Sequence, residues 1–179
     1  LIVLIYLIQR NRSHLNYAIT FKRHAKCGIL KQMTYDFNIG TYSFKVSTSS
    51  EDAQIWFDRG LIWAYGFHWD EAITCFKESV KADPKCAMSW WGVAYAVGPY
   101  YNRMWNKLDE IELPNVLAEC FQASQTALRL CNNVTPLEED LIFSLSMRYP
   151  SDQAPENFNH WNDSYAQAMR DMNKKYPSN

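Results

Sequence analysis

The pattern of apolar and polar residues predicts that the chain is built from helices. From about Ser50 to Tyr65, apolar residues such as Ile55 and Leu61 recur at the steps that define one face of a helix. A second helix is predicted from Trp69 to about Lys81. The pair Asp83-Pro84 ends it, because proline disfavours helical backbone at the residue before it.

The second half of the chain continues this pattern after one interruption. Residues 98–115, "GPYYNRMWNKLDEIELPN", lack a helical period and are predicted to form a long loop. Thr135 followed by Pro136 and, three residues after the threonine, by Glu138 predicts a capping box at a helix start. Further stripes are formed by Leu117, Phe121, Ser124, Leu128 and Cys131, by Leu137, Leu141 and Leu145, and by Phe158, Trp161, Tyr165, Ala168 and Met172. We therefore expect an all-α fold of six helices in three antiparallel pairs.

The first half of the chain contains a repeat. Ala53 and Trp56 recur as Ala87 and Trp90, with the same shift along the chain. That shift is about 34 residues, which is the period of a helix–turn–helix repeat. Gly60 lies inside the first predicted helix, where glycine costs about 1 kcal/mol relative to alanine. We expect the second helix to cross at this glycine, so that a bulky residue is excluded there and alanine is tolerated.

These residues give the chain a resemblance to the tetratricopeptide repeat (TPR) family. The matching positions are Trp56, Gly60, Ala72, Phe76 and Pro84 in the first unit and Ala87 and Trp90 in the second. Arg59 and Ser79 depart from the family pattern, which usually has leucine and alanine there. The stretch "WGVAYAVGPYYN" is also similar to "WG-A-A-GPNYN" in a group of TPR-like proteins of bacteria and fungi. The resemblance implies a right-handed solenoid of helical hairpins, here truncated, that acts as a protein-interaction scaffold.

The resemblance also implies where a partner would bind, because TPR arrays receive peptides in a concave groove. Trp91 and Tyr95 lie four residues apart and share a helix face, and a similar row precedes them by one period. The predicted groove comprises Phe57, Leu61, Tyr65, Trp91, Tyr95, Tyr100, Tyr101 and Asn102. We expect it to bind an amphipathic helix or an extended hydrophobic peptide. The family's clamp for a terminal carboxylate is disfavoured, since Phe57, Leu61 and Gly92 stand where it needs polar donors.

A second hypothesis places the chain in an enzyme or a small-ligand-binding protein, with a pocket around the loop Gly98–Asn102. The sequence shows no nucleophile–histidine–acid grouping and no glycine-rich phosphate loop. His68 and Cys75 have no further metal ligands at a suitable spacing. We therefore expect no catalytic residues, no metal and no cofactor, and the interaction scaffold is the preferred hypothesis.

Composition limits the partners and the compartment. Hydrophobic residues make up 47% of the chain and aromatic residues 15%, which is too apolar for a disordered protein. The net charge of −1 predicts no binding to nucleic acid. Five cysteines, without a CxxC pair, indicate neither a disulfide framework nor a zinc site. We expect a reducing compartment, the cytoplasm.

Residues 1–32 differ from the rest of the chain. They carry six basic residues and no acidic one, whereas the remainder has 12 basic and 19 acidic residues. Their first eight residues are apolar and are too few to span a bilayer unless they end a longer span. The segment also has the composition of an organelle transit peptide. The preferred interpretation is a start at Met33, with residues 33–179 as the TPR-like domain.

Overall fold

The structure, a computed structural model, describes residue 35 and residues 37–177. The chain divides into two units, residues 1–38 and residues 39–179. In the first, the rings of Tyr35 and Phe37 meet edge to face, with centroids 5.5 Å apart. The predicted basic segment of residues 1–32, and its boundary with the domain, lie outside the described residues. The elements below all belong to the second unit.

The described residues of the second unit, 39–177, form six α-helices. They are α1 Glu51–Tyr65, α2 Trp69–Ala82, α3 Ala87–Val97, α4 Glu112–Leu130, α5 Pro136–Ser146 and α6 Asn159–Lys175. Short 3-10 turns occur at Trp105–Lys107 and Cys131–Asn133. Residue 35 and residues 37–177 contain no strand, which confirms the predicted all-α class over the described part of the chain.

Local hydrogen bonds explain where two of the helices begin. The Ser50 hydroxyl accepts a bond from the backbone N–H of Ala53, at 3.2 Å, at the start of α1. At the start of α5, the Thr135 hydroxyl accepts from the N–H of Glu138, and the Glu138 carboxylate accepts from the N–H of Thr135 at 2.8 Å. The predicted capping box is therefore confirmed.

Helix α4 begins earlier than the sequence pattern predicts. Asp109 Oδ1 accepts hydrogen bonds from the N–H groups of Ile111 and Glu112, at 2.8 and 2.7 Å. These bonds hold the pKa of the Asp109 carboxyl below its usual value. Pro114 falls within the first turn, where a missing N–H removes no helical bond. The loop between α3 and α4 is thus residues 98–111, and the prediction that it reaches residue 115 is wrong.

The helices pack in pairs and in a row. Each helix packs against the next one along the chain, and in addition α1 packs against α3 and α3 against α5. The short connection Gly66–His68 makes α1 and α2 antiparallel neighbours. An ion pair between Lys77 and Glu119, with Nζ and Oε1 2.7 Å apart, links α2 to α4. Odd-numbered helices therefore form one layer, and α2 and α4 touch on the other side.

Phe76 lies at the centre of the first three helices. A Cβ built on Gly60 of α1 would lie 2.6 Å from the nearest Phe76 ring atom, and one built on Gly92 of α3 would also overlap the ring. Phe76 is fully buried. The predicted crossing at Gly60 is confirmed, but the expectation that alanine fits there is wrong, since even a methyl group overlaps the ring.

The remaining positions of the repeat signature fall into two groups. Ala72 and Ala87 are fully buried beside Phe76 in the core. The two tryptophans are half-buried. Trp90 Nε1 donates to the carbonyl of Pro84 at 3.0 Å, and the Arg59 guanidinium lies over the Trp56 ring at 4.6 Å from its centroid.

Ser79, a departure from the TPR pattern, has a structural role. Its hydroxyl donates to the carbonyl of Ala53 at 2.7 Å and lies 2.7 Å from the hydroxyl of Ser89. Both serines are fully buried. Because buried hydroxyl groups are costly unless they are bonded, this chain of bonds fixes how α1, α2 and α3 fit together.

Helix α5 buries the Glu138 carboxylate and one residue of the predicted leucine stripe, Leu145. Glu138 is 1% exposed, and it accepts bonds from the backbone N–H and the hydroxyl of Ser47, both at 2.6 Å. Ile142 and Leu145 are buried, whereas Leu137 and Leu141 are half-buried. The buried face is therefore turned toward Glu138, and the extended segment before α1 is tied to α5.

Candidate binding site

The connection between α3 and α4 forms a closed loop. The N–H of Tyr100 donates to the carbonyl of Arg103 at 3.1 Å, and the N–H of Arg103 donates back at 3.0 Å. Arg103 also pairs with Glu112 at the start of α4, at 3.4 Å. Tyr101 and Asn102 stand at the tip, and Tyr101 is 85% exposed. The loop thus presents a tyrosine to solvent from a fixed base.

A surface depression of about 690 Å³ lies beside this loop. Its lining residues come from α2, α3, the loop, the segment after α5, and α6, and we call it the aromatic recess. They are Trp69, Tyr95, Pro99, Tyr100, Tyr101, Met104, Arg148 and Asn162. This described lining contains no carboxylate, histidine or thiol. Its ionisable side chains are three tyrosines and one arginine, which offer hydrogen-bond donors and a positive charge to a guest.

Stacked rings form the apolar wall of the aromatic recess. Trp69, the first residue of α2, stacks on Tyr100 with ring centroids 4.7 Å apart and meets the edge of Tyr95 at 5.8 Å. Burial raises the pKa of Tyr95 to about 12; Tyr165 adds to this shift and the Arg148 charge opposes it. The phenol of Tyr95 is therefore neutral at neutral pH and can donate a hydrogen bond.

Arg148 brings a positive charge to the aromatic recess. Its Nη2 donates to the carbonyl of Pro99 at 2.8 Å, and its guanidinium lies over the Tyr165 ring, 5.0 Å from the centroid. Its Nε is buried and has no acceptor. No carboxylate of the described residues forms an ion pair with it. Since arginine is always protonated, the recess carries an uncompensated charge.

Two residues of the predicted groove are core residues, which is a correction. Phe57 is fully buried and Leu61 is 3% exposed. The Phe57 ring centroid lies 5.5 Å from that of Phe76 and 6.5 Å from that of Trp91. The two predicted rows do meet between α1 and α3, but they meet beneath the surface. Phe57 and Leu61 therefore cannot line an open groove.

The other predicted groove residues are dispersed. Trp91 is half-buried, its Nε1 donates to the carbonyl of Leu141 at 3.1 Å, and its ring stacks on Tyr95 at 5.0 Å. Tyr65 is 39% exposed and packs edge-on against Tyr42 at 5.5 Å. Burial, together with Tyr42, raises the pKa of Tyr65. Trp91 ties α3 to α5, and Tyr65 lies at the far end of α1, so neither lines the aromatic recess.

The aromatic recess contains part of the pocket expected around the loop Gly98–Asn102. Tyr95, Tyr100 and Tyr101 line it, whereas Asn102 is exposed and does not. Sequence reasoning missed Trp69, Arg148 and Asn162, which reach the recess from distant parts of the chain. Asn162 is oriented by Trp105, whose Nε1 donates to Asn162 Oδ1 at 3.3 Å. No sequence period joins these residues, so only the fold reveals them.

A second depression of about 690 Å³ lies between α5 and α6. Two of its charged groups pair with each other, since Asp140 accepts bonds from Lys175 and also from Tyr176. These bonds lower the pKa of Asp140. Phe143, which is 55% exposed, supplies apolar surface. The lysine that lines this depression, Lys175, is paired with Asp140, whereas Arg148 brings an unpaired positive charge to the aromatic recess.

Among the described residues, no three histidine, cysteine or acidic side chains are grouped as they would be to hold a metal ion. None of the helices in residues 37–177 is both long and apolar enough to cross a membrane. Cys86, Cys120 and Cys131 are free thiols, and Cys75 is buried in the core.

No family model matches this chain, and neither does a curated protein or a solved structure.

Proposed function

We propose that the chain is an interaction module of TPR type, a right-handed stack of helical hairpins, and that its partner binds at the aromatic recess. The observation that carries the proposal is the recess itself, an open site with a stacked aromatic wall and a tyrosine projecting beside it. The hairpin stack is supported by the repeat of Ala53 and Trp56 as Ala87 and Trp90, and by the layer in which α1, α3 and α5 pack on one another.

The guest that fits this surface is a segment of a partner protein with an apolar or aromatic side chain. Tyr101 and Met104 are 85% and 52% exposed at the rim, and Trp69 and Tyr100 form the wall. Tyrosine and tryptophan dominate binding energy at many interfaces because they bury a large area with few rotatable bonds. The lining favours binding over catalysis, and the free thiols support a reducing, cytoplasmic location.

A library of displayed random peptides, panned against the protein, tests the proposal. Selected peptides are then titrated against three variants: Tyr100→Ala, Tyr101→Ala and, as a control, Phe143→Ala. Phe143 is an exposed aromatic residue in the other depression. We expect each of the two tyrosine variants to weaken binding by roughly tenfold, about 1.4 kcal/mol, and the control to bind normally.

The opposite pattern would place the binding surface elsewhere. If the selected peptides bind both tyrosine variants as tightly as the unmodified protein, the aromatic recess is not the partner site. If Phe143→Ala alone loses them, the depression between α5 and α6 takes that role.

A further inference from the structure

The aromatic recess offers mainly hydrogen-bond donors, because two of its acceptor oxygens already accept hydrogen bonds from neighbouring side chains. The Pro99 carbonyl accepts from Arg148, and the Asn162 side-chain oxygen accepts from Trp105. What remains is the Arg148 guanidinium, the Asn162 amide N–H₂ and the tyrosine hydroxyls. Two further donors, Arg148 Nε and Trp69 Nε1, are buried at this site without an acceptor. A site of this composition matches a ligand that brings acceptors and a negative charge.

The charge of Arg148 is held in place rather than free to swing into solvent. Its bond to Pro99 and its position over Tyr165, and less closely over Tyr149, fix the guanidinium within the lining of the recess. The groups that act electrostatically on it are Tyr149, Tyr165, Cys120 and Tyr95, and none of them is a carboxylate. A buried or half-buried cation without a partner is costly, and an incoming anion removes that cost.

We propose that the aromatic recess selects a carboxylate carried on an aromatic or flat apolar body, with Arg148 as its counter-ion. This inference rests on the proposed function, because it names the chemistry of the guest at the same site. The apolar body packs on Trp69 and Tyr100, and the carboxylate accepts from the guanidinium in a charge-assisted bond. The carboxylate comes either from a free organic acid or from an acidic side chain next to an aromatic one.

Three small probes with one aromatic body test the charge preference: phenylacetate, phenylacetamide and phenethylamine. Binding is followed through the NMR signal of the Trp69 indole N–H, which reports on the recess wall. We expect phenylacetate to bind at least about tenfold more tightly than its neutral amide, as one charge-assisted bond allows, and phenethylamine not to bind. Equal binding of acid and amide, or no response from Trp69 to any probe, would overturn the inference.

A pair of blocked dipeptides separates the two sources of the carboxylate. N-acetylated, C-amidated Phe-Glu carries its carboxylate on a side chain, and the matching Phe-Gln differs only in that group. A Phe-Glu preference of the same size as that of phenylacetate assigns the site to an acidic partner segment. Binding of phenylacetate without a Phe-Glu preference assigns it to a free organic acid.

Variants connect the preference to Arg148. Arg148→Gln should abolish the advantage of phenylacetate over phenylacetamide, and Arg148→Lys should keep part of it. Arg129→Gln, at an exposed arginine of α4 that does not line the recess, should leave it unchanged. An advantage that survives Arg148→Gln contradicts the assignment. If Arg148→Gln does not fold by circular dichroism, Arg148→Lys and the acid–amide pair on the unmodified protein decide.

The proposed function and this inference fail in different ways. Equal affinity for acid and amide, with selected peptides that still depend on Tyr100, removes the charge selectivity and leaves the partner site. Peptides that bind Tyr100→Ala normally, with no probe bound at Trp69, remove both.

Discussion

Two buried aromatic rings in this molecule rest against glycines, and they differ in how far along the chain those glycines lie. Phe76 rests against Gly60 and Gly92, which precede and follow it at equal separations in the sequence. Tyr149 rests against Gly98, a much more distant residue from which it is separated by α4 and α5. Both rings are fully buried. A buried ring packed against glycine therefore joins the helices both in the repeated pairs and at the junction beside the aromatic recess.

The difference shows which contacts a repeat can encode. The Phe76 contacts lie within one period of the chain, so the glycine and the ring can be placed by helical spacing. The Tyr149 contact joins the end of α3 to the segment after α5, across the irregular loop. Its partner is set by how the helices stack, and the neighbouring Arg148 reaches the recess for the same reason. The two contacts can be tested by the same kind of substitution.

Gly98→Ala should have the largest effect on stability. Its Cβ would overlap the Tyr149 hydroxyl, lie 2.8 Å from Tyr149 Cζ, and lie 3.2 Å from the carbonyl oxygen of Ala94. Because Tyr149 is fully buried and cannot move aside easily, we expect a loss of about 3 kcal/mol, the upper end of the usual range for overpacking. Urea denaturation followed by circular dichroism measures it.

The matched rescue is Tyr149→Phe, which removes the overlapping oxygen. The double variant Gly98→Ala/Tyr149→Phe should regain part of the lost stability. If the double variant is as unstable as Gly98→Ala alone, another contact of Gly98 causes the loss of stability.

Gly92→Ala should cost about 2 kcal/mol, because its Cβ would overlap the Phe76 ring but meet the edge of a single side chain. Phe76→Leu, which replaces the rigid ring with a smaller chain, should offset part of this loss and none of the loss in Gly98→Ala. Urea denaturation of the four proteins in each cycle measures both interactions. Cross-rescue between the two pairs would show that the core does not separate into these two contacts.

The sequence predicts the helices well because their signals are local. Ser50, Pro84 and the Thr135–Glu138 box mark helix ends within one turn, and the structure confirms each. The groove is predicted less well. Helical spacing shows that Phe57 and Leu61 share a face, but it does not show which elements cover that face. In the structure α2 and α3 cover it. The recess depends on contacts between distant segments, which periodicity cannot report.

Glu138→Gln should cost about 1.5 kcal/mol, the order of magnitude for a buried hydrogen bond that loses one partner, although the two side chains have nearly the same shape. Glu138 accepts bonds with both carboxylate oxygens, from Ser47 and from Thr135. An amide has only one acceptor oxygen, so at least one buried donor loses its partner. Glu139→Gln, at the exposed neighbour in the same turn, is the control and should change stability little. Equal losses in the two variants would point to the helix dipole instead.

Trp91→Phe should cost about 1 kcal/mol, because it removes the hydrogen bond from Nε1 to the Leu141 carbonyl while keeping a ring beside Tyr95. Tyr101→Phe, at the exposed loop tip, should leave the free energy of unfolding unchanged. The pair distinguishes a residue that joins α3 to α5 from one that is available to a partner. A stable Trp91→Phe protein with weakened peptide binding would return Trp91 to the binding surface.

Tyr149→Phe alone should have the smallest effect at neutral pH, and its effect should grow in alkaline solution. Among the described residues the buried Tyr149 hydroxyl makes no strong hydrogen bond and interacts only with the Cys120 thiol, a weak partner, so its removal costs little. Burial raises the pKa of Tyr149 well above the ordinary value of 10.0, although the Arg148 charge opposes the shift. A raised folded pKa contributes stability that is complete below the unfolded pKa and is lost as pH rises past it. The stability of the variant should therefore rise relative to that of the unmodified protein as the pH increases. One pH unit above the unfolded pKa, this relative gain should be about 1.4 kcal/mol compared with neutral pH.

The thiols and the remaining tyrosines titrate in both proteins, so urea denaturation of the pair against pH isolates this phenol. Parallel stability curves through the alkaline range would show that Tyr149 ionises in the folded protein as readily as in the unfolded chain, and that the ring against Gly98 is not sealed from water.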